Sequence, residues 1–175
     1  MDILEYMSNQ KYEQLTMITD PGVGLKAVIA IHDTTLGPSC GGTRIWPYES
    51  EGAAIEDALR LAKAMSYKSA VADLPLGGGK AVIIADSHTQ KTEAMLRSFG
   101  RFVETLSGRY LTTTDVGSTG RDLEYIRQET KHVVGLPTTM GGSGDTSVMT
   151  GLGIYVGMKA AAKVIWGTDS LSGKR

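Results

Sequence analysis

Hydrophobic residues recur along this chain in two patterns, one with helical spacing and one as short continuous runs. Between residues 51 and 67 the apolar positions follow the three-to-four-residue period of an amphipathic helix. Residues 27–31 form an unbroken apolar run, which is typical of a strand buried on both faces. These patterns predict helices at residues 2–9, 51–67, 91–106, 120–130 and 146–164, strands at residues 12–19, 25–32, 80–85, 109–113 and 131–136, a loop at residues 37–44 and a linker at residues 167–175.

The alternation of helices and strands predicts an α/β fold, with a mostly parallel mixed sheet flanked by helices. The first strands are the candidates for antiparallel pairing. The helix at 91–106 fits a right-handed crossover between strands 80–85 and 109–113. Ligand-binding loops are expected at the carboxyl ends of the parallel strands, which is where Asp115 lies.

Composition narrows the class of protein. A chain of 175 residues can bury one substantial core, and its formal net charge of −1 argues against nucleic acid or an anionic membrane as the main partner. The single cysteine, Cys40, excludes an internal disulfide and fits a reducing compartment. No apolar run is judged long enough to span a membrane, and the first residues do not resemble a signal peptide. A cytoplasmic location is expected.

Two lysines and a run of glycines are the main candidates for chemistry. Lys68 closes the helix at 51–67, and Lys80 follows three glycines at the start of an apolar strand. Burying a lysine is costly, so two lysines in apolar surroundings indicate a function, whereas the alternative for either one is a solvated surface turn. The glycines would let the backbone approach a small ligand, and Asp115 could supply an acid–base partner.

Other familiar motifs fit poorly. The segment before Lys80 lacks the first glycine of a P-loop and the serine or threonine that follows its lysine. Residues 151–157 resemble a dinucleotide fingerprint only loosely, and close helix packing at Gly153 and Gly157 is the favoured interpretation. The three histidines are widely spaced along the chain, and no metal site is predicted.

Several motifs, taken together and in order, resemble the amino-acid dehydrogenases for leucine, valine and phenylalanine, which are distant relatives of glutamate dehydrogenase. The resemblance extends over essentially all 175 residues. The segments that carry it are residues 25–38 (LKAVIAIHDTTLGP), 41–44 (GGTR), 64–68 (AMSYK), 76–84 (LGGGKAVII), 114–117 (TDVG), 141–147 (GGSGDTS) and 157–162 (GMKAAA).

This resemblance implies NAD-dependent oxidative deamination of a hydrophobic L-amino acid to a 2-oxo acid and ammonia. Lys68 would hold the substrate carboxylate, Lys80 would be the acid–base that activates water, and Asp115 would exchange protons with the substrate nitrogen. Further substrate contacts would come from Gly41, Gly42, Met65, Gly77 and Gly78, and the side-chain pocket would be lined by Cys40, Thr113 and Val134. The pocket residues give conflicting indications and do not select among leucine, valine and phenylalanine.

Members of the resembled family continue into a dinucleotide domain, which this sequence does not contain. Residues 1–165 are therefore predicted to be the substrate-binding, catalytic-lysine and oligomerisation domain, and residues 166–175 a linker toward an NAD-binding domain, with NAD contacts expected mainly beyond residue 175. The expected partners are a small amino or 2-oxo acid and further copies of the chain. The alternatives are a non-catalytic amino-acid-binding or assembly module, a phosphate- or nucleotide-binding enzyme, and a pyridoxal-phosphate enzyme with Lys80 as its imine lysine.

Overall fold

The computed structural model describes residues 2–174 and contains one five-stranded sheet with helices on both faces. Residues 1 and 175, which belong to the predicted domain and the predicted linker respectively, lie outside the described residues. The strands are β1 (Gln14–Asp20), β2 (Leu25–Asp33), β3 (Ser39–Trp46), β4 (Gly77–Ile84) and β5 (Tyr110–Thr114). The helices are α1 (Ile3–Gln10), α2 (Glu51–Val71), α3 (Glu93–Thr105), α4 (Gly120–Arg127) and α5 (Ser147–Trp166).

The sheet is mixed, as predicted, with the spatial order β1-β2-β4-β3-β5. The pairs β1–β2 and β2–β4 are antiparallel, whereas β3–β4 and β3–β5 are parallel. Only β2 therefore runs against the other four strands. The carboxyl ends of β3, β4 and β5 lie at the same end of the sheet, and the loops that follow these strands meet there.

Two apolar clusters hold the helices against the sheet. On one face, α2 packs on β2 and β4 through its row of small and branched residues, among them Ala58, Leu59 and Ala62. On the other face, α3 and α4 cover the sheet through buried residues such as Phe99 and Leu123. Side-chain caps define where these helices begin, because Ser50 accepts from the Ala53 N–H and Thr92 accepts from the Met95 N–H.

The structure corrects three predictions of secondary structure. Residues 37–44 were expected to be a loop, but most of them belong to β3, which lies between β4 and β5. The predicted crossover therefore does not join neighbouring strands. Residues 131–136 were expected to be a strand, yet they form only an isolated bridge between Thr112 and Val133. Lys80 does not open its strand either, because β4 begins at Gly77.

Helix α5 differs from the others because it is largely exposed, and among its described side chains only Ala162 is buried. The predicted close packing at Gly153 and Gly157 is wrong, because a Cβ at either position would meet nothing within 4 Å. By length and composition alone α5 could cross a membrane, so the expectation that no segment is long enough is also wrong. One such helix is weak evidence for a membrane segment.

Candidate active site

The candidate site lies on the sheet face that α2 covers only in part. This helix packs mainly on β2 and β4, and within residues 2–174 no helix packs in this way over the β3–β5 part of the same face. Side chains alternate along each strand. Three neighbouring strands consequently place side chains on this same face. These residues are Cys40, Gly42 and Arg44 from β3, Gly78 (beneath α2) and Lys80 from β4, and Thr113 from β5, with Asp115 just beyond it.

Lys80 occupies the middle of β4, and its side chain is 4% exposed. Val82, two residues further along the strand, belongs to the cluster beneath α2, which shows that Lys80 points to the same face. The Lys80 Nζ donates directly to the Asp115 Oδ2. We call these two side chains the amine–carboxylate pair. The pair brings together two residues that the sequence separates by a helix and a strand.

Asp115 is fixed by the loop between β5 and α4. Its backbone N–H donates to Ser118 Oγ at 2.9 Å, and Ser118 Oγ donates to the Thr43 carbonyl at 2.7 Å. Its Oδ1 accepts from the Val116 N–H at 2.5 Å and from Arg44 Nε at 3.2 Å. Both carboxylate oxygens therefore have partners, and the loop gives Asp115 one defined orientation.

Burial lowers the pKa of Lys80 to about 7. The positive charges of Arg44 and Lys68 act in the same direction, whereas Asp57 acts in the opposite direction and raises it. An ordinary lysine is almost entirely protonated at neutral pH. An amine with this lowered pKa can both accept and release a proton there, which is the property that acid–base catalysis requires.

Lys68 lies in the last turn of α2 and is exposed. Its charge contributes to the lowered pKa of Lys80, and it partly offsets the burial that raises the pKa of the Cys40 thiol. Lys68 is therefore a cation at the edge of the same open face. Met65, one turn earlier on α2, is partly buried.

The glycines of β3 and β4 are explained by contacts within the chain. A Cβ at Gly78 would collide with the backbone of α2 at Ser66, and a Cβ at Gly77 would collide with the Asp33 carbonyl. At Gly42 a Cβ would lie 2.8 Å from the Asp115 Cβ. The absence of side chains therefore allows α2 and Asp115 to approach the strands closely. A role for Gly41, Gly42, Gly77 and Gly78 in contacting substrate stays a prediction.

The three predicted pocket residues occupy different settings. Cys40 is buried, and β3 pairs it with Gly78 on one side and Leu111 on the other. Thr113 pairs with Gly42 and is partly buried. Val134 lies outside any strand, is 38% exposed, and donates its N–H to the Thr112 carbonyl at 2.9 Å. That these three residues form a specificity pocket stays a prediction.

Arg44 and Asp57 belong to the site's charge network, although the sequence had suggested no role for either. Arg44 Nη1 donates to Asp57 Oδ2 at 2.7 Å while Arg44 Nε contacts Asp115. The available signal was the alternation of β3: once residues 39–46 are recognised as a strand, Arg44 must share a face with Gly42.

A cavity of about 1000 Å³ adjoins Asp115. It lies between the β5–α4 loop and the start of α5, and its walls include Thr114, Gly135, Thr146 and Thr150. Within residues 2–174 no group of three or more histidine, cysteine, aspartate or glutamate side chains is arranged to hold a metal ion.

Fold and site together define an α/β domain that holds a buried lysine, in the middle of one strand, against a carboxylate that follows the carboxyl end of a parallel strand. This arrangement is suited to proton transfer. Comparison with known proteins gives the family: residues 12–132 match the model described as Glu/Leu/Phe/Val dehydrogenase, dimerisation domain, and the chain belongs to that family.

Dehydrogenases named for different amino acids match nearly the whole chain. It is 56% identical over 174 residues to leucine dehydrogenase of Bacillus subtilis, covering 99% of this chain and 48% of the relative. It is 49% identical over 173 residues to phenylalanine dehydrogenase of Lysinibacillus sphaericus, covering 99% and 45% respectively. The crystal structure of L-tryptophan dehydrogenase from Nostoc punctiforme matches with a TM-score of 0.75 and 45% identity, covering 98% of this chain and 48% of that one. The chain thus spans about half the length of the curated relatives it matches.

Proposed function

We propose that this chain is the substrate-binding and proton-transferring half of an NAD-dependent amino-acid dehydrogenase. The observation that carries the proposal is the amine–carboxylate pair, in which a buried lysine has its pKa lowered to about 7 beside a fixed aspartate. The names of the relatives, leucine and phenylalanine dehydrogenase, support the same reaction class for the longer parent protein.

We assign a role in this reaction to each charged residue of the site. Lys68, a cation at the rim of the open face, binds the substrate carboxylate. Lys80 in its neutral form accepts a proton from a water molecule at the substrate's α-carbon. Asp115 exchanges a proton with the substrate nitrogen and balances the positive charge that the lysines and Arg44 bring to the site.

The residues described do not themselves form a dinucleotide site. The glycines of 151–157 lie within the exposed helix α5, and no strand leads into them, as a dinucleotide fold requires. We assign NAD binding to a part of the parent protein outside residues 2–174. This chain alone is accordingly expected to be inactive, and α5 is expected to pack against the remainder of the parent.

The substrate is proposed to be a hydrophobic L-amino acid, or in the reverse direction its 2-oxo acid. The open face beside Lys80 includes the small uncharged side chains of Cys40 and Thr113. Arg44 is a further cation on this face, but it is already paired with two aspartates and is not offered to a second substrate carboxylate. One methylene in such a pocket changes binding by only about 1–3 kcal/mol, so Cys40 and Thr113 do not choose between leucine and phenylalanine. The parent is proposed to be a cytoplasmic homo-oligomer.

An activity assay of the parent protein, expressed from the longer coding sequence, tests this function. We expect NAD reduction with leucine, valine or phenylalanine by the parent protein, and its loss by a factor of at least about 100 in Lys80→Ala. Lys26→Ala, which changes an exposed lysine on β2, is the matched control and should retain activity. A parent with full activity after Lys80→Ala would contradict the proposal.

The same variant separates an enzyme from a binding module. A module with no chemistry would bind a 2-oxo acid equally well with or without the Lys80 amine, and it would show no turnover in the parent. Calorimetric titration of 4-methyl-2-oxopentanoate into this chain, its Lys80→Ala variant and its Lys68→Ala variant measures that difference. We expect Lys68→Ala to show the larger loss of binding, because the carboxylate loses its cation.

A further inference from the structure

Asp57 is a partly buried carboxylate that accepts hydrogen bonds from three side chains. It lies on α2 with its side chain 14% exposed, and it accepts hydrogen bonds from Tyr48 Oη at 2.6 Å, Arg44 Nη1 at 2.7 Å and Arg60 Nη2 at 2.7 Å. Three donors, one each from β3, the β3–α2 loop and α2, fix the position of this carboxylate. None of the steps described above uses it.

Arg44 connects Asp57 to the amine–carboxylate pair. Its Nη1 contacts Asp57, and its Nε lies 3.2 Å from Asp115 Oδ1. A guanidinium is planar, so fixing one edge against a carboxylate also fixes the direction of the remaining N–H groups. The other oxygen of Asp115 contacts Lys80. A continuous line of charged contacts therefore runs from α2 to the buried amine.

We propose that Asp57 is a positioning residue for the amine–carboxylate pair and acts on it through Arg44. This proposal rests on the proposed function, because it assigns Asp57 to the site of that reaction. Asp57 holds the guanidinium in the orientation that fixes Asp115 Oδ1, and this leaves Oδ2 directed at Lys80. Asp57 also supplies a negative charge that balances the arginine.

The charges around Lys80 give this arrangement a measurable signature. The titratable groups that face it from the packed elements are Arg44 and Cys40 on β3, Asp57 and Lys68 on α2, and Asp115 beyond β5. Among these, Arg44 lowers the pKa of Lys80 and Asp57 raises it. Burial opposes ionisation of Asp57, but its hydrogen bonds from Tyr48, Arg60 and Arg44 outweigh burial and lower its pKa. Asp57 therefore carries its charge at neutral pH.

Nuclear magnetic resonance of this chain, labelled with ¹³C and ¹⁵N at lysine, tests the proposal without substrate, NAD or turnover. The Lys80 signal is assigned by its disappearance in Lys80→Ala, and its pH midpoint is compared among variants. We expect Asp57→Asn to lower the midpoint by about half a pH unit or more and Arg44→Gln to raise it. Glu56→Gln is the matched control, because it removes a neighbouring exposed charge on α2 and should give a smaller change.

Asp57→Glu separates position from charge. It keeps the carboxylate but displaces it by one methylene, so we expect at least half of the Asp57→Asn change to persist. Full restoration by Asp57→Glu would overturn the positioning role, and so would an unchanged or raised midpoint in Asp57→Asn. Loosened packing alone would move every variant upward, toward an exposed lysine. If Arg44→Gln does not fold, Arg44→Lys replaces it and should also give a midpoint different from that of the natural chain. Because no turnover is measured, an inactive parent protein would leave this result intact.

Discussion

Lys80 is placed in the interior of a strand, where neighbouring backbone leaves its amine little freedom. Residues before and after it face the opposite side of the sheet, and α2 packs on β4 itself and on the neighbouring β2. Its long apolar stem is thereby buried, while its amine meets the carboxylate of Asp115. A flexible loop could not desolvate a lysine to the same degree, and desolvation is the first cause of its lowered pKa.

The lowered pKa of Lys80 predicts how stability depends on pH. The folded chain holds this proton with a pKa of about 7, whereas an unfolded lysine titrates near about 10.4. Between those values the unfolded chain binds more protons, so folding becomes more favourable as pH rises, by up to about 1.4 kcal/mol per pH unit. Lys80→Met lacks this titration. Urea unfolding should therefore show the natural chain gaining stability relative to Lys80→Met from pH 7 to pH 10, and a constant or falling difference would contradict the assignment.

The close approach at Gly78 predicts a large cost for one added methyl group. Gly78→Ala would place a Cβ against the backbone of α2, where neither element can move without disturbing the core. We expect a loss of about 3 kcal/mol in the free energy of unfolding. Gly153→Ala on the exposed helix α5 is the control, because it meets no neighbouring atom and should stabilise the chain by up to about 1 kcal/mol. Equal effects of the two substitutions would show that Gly78 is not tightly packed.

Site residues could be identified from the sequence where a charged side chain lay in apolar surroundings, because burying a charge without a function is energetically costly. The sequence singled out Lys80 and Asp115, and the structure brings them into contact. It did not single out Arg44 or Asp57, because arginine and aspartate are common on exposed surfaces. Their contact with each other appears only in the fold, where β3 and α2 bring their side chains within 2.7 Å.

Strand β3 shows why some elements escaped prediction. Gly41 and Gly42 have the composition of a turn, yet they lie inside a strand where Thr114 and Gly79 approach too closely for a side chain. Glycine is required there by the close approach of residues that are distant in sequence, so the local sequence pattern predicts a turn instead of a strand. The opposite error occurred at residues 131–136, whose apolar residues cover the core beside β5 while forming only one bridge. The α/β class was predictable because long periodic helices are the strongest local signal.

The loop between β5 and α4 depends on a contact from outside it. Lys91 Nζ donates to the Gly117 carbonyl at 2.9 Å and to Asp122 Oδ2 at 2.7 Å. Lys91→Ala would leave the buried Asp122 without its cation but with its hydrogen bonds from Thr119, and we expect the free energy of unfolding to fall by about 1–3 kcal/mol. Lys26→Ala, which breaks an exposed 3.4 Å pair with Glu51, should cost less than about 1 kcal/mol. Chemical denaturation compares the two, and similar small losses would mean that Lys91 does not support this loop.

At the scale of the whole molecule, burial is distributed unevenly. The sheet and helices α2, α3 and α4 contain nearly all of the apolar clusters, whereas α5 exposes large side chains such as Leu152, Ile154 and Trp166. An apolar helix without a packing partner contributes little to the stability of the remaining fold.

Removing α5 should therefore leave the rest of the domain folded. We expect a chain ending at residue 145 to unfold within about 4 °C of the natural chain, and amide hydrogens of α5 to exchange much faster than those of β4. Leu123→Ala, in the buried face of α4, provides the contrast and should cost about 2–5 kcal/mol. Calorimetry and hydrogen exchange measure both effects. Loss of cooperative unfolding after truncation would show that α5 belongs to the core.

The bare part of the sheet beside α2 has a consequence for chirality. A molecule lying in that trough meets the Lys80 amine from a single wall, because β4 holds this side chain on one side of the sheet. Under the proposed function Lys68 anchors the substrate carboxylate at the rim, and the substrate can then turn only one face of its central carbon toward the amine. Its mirror image would present a different substituent to the same wall. The proposed function therefore predicts that the two enantiomers of a substrate are distinguished by their placement, before any bond is broken.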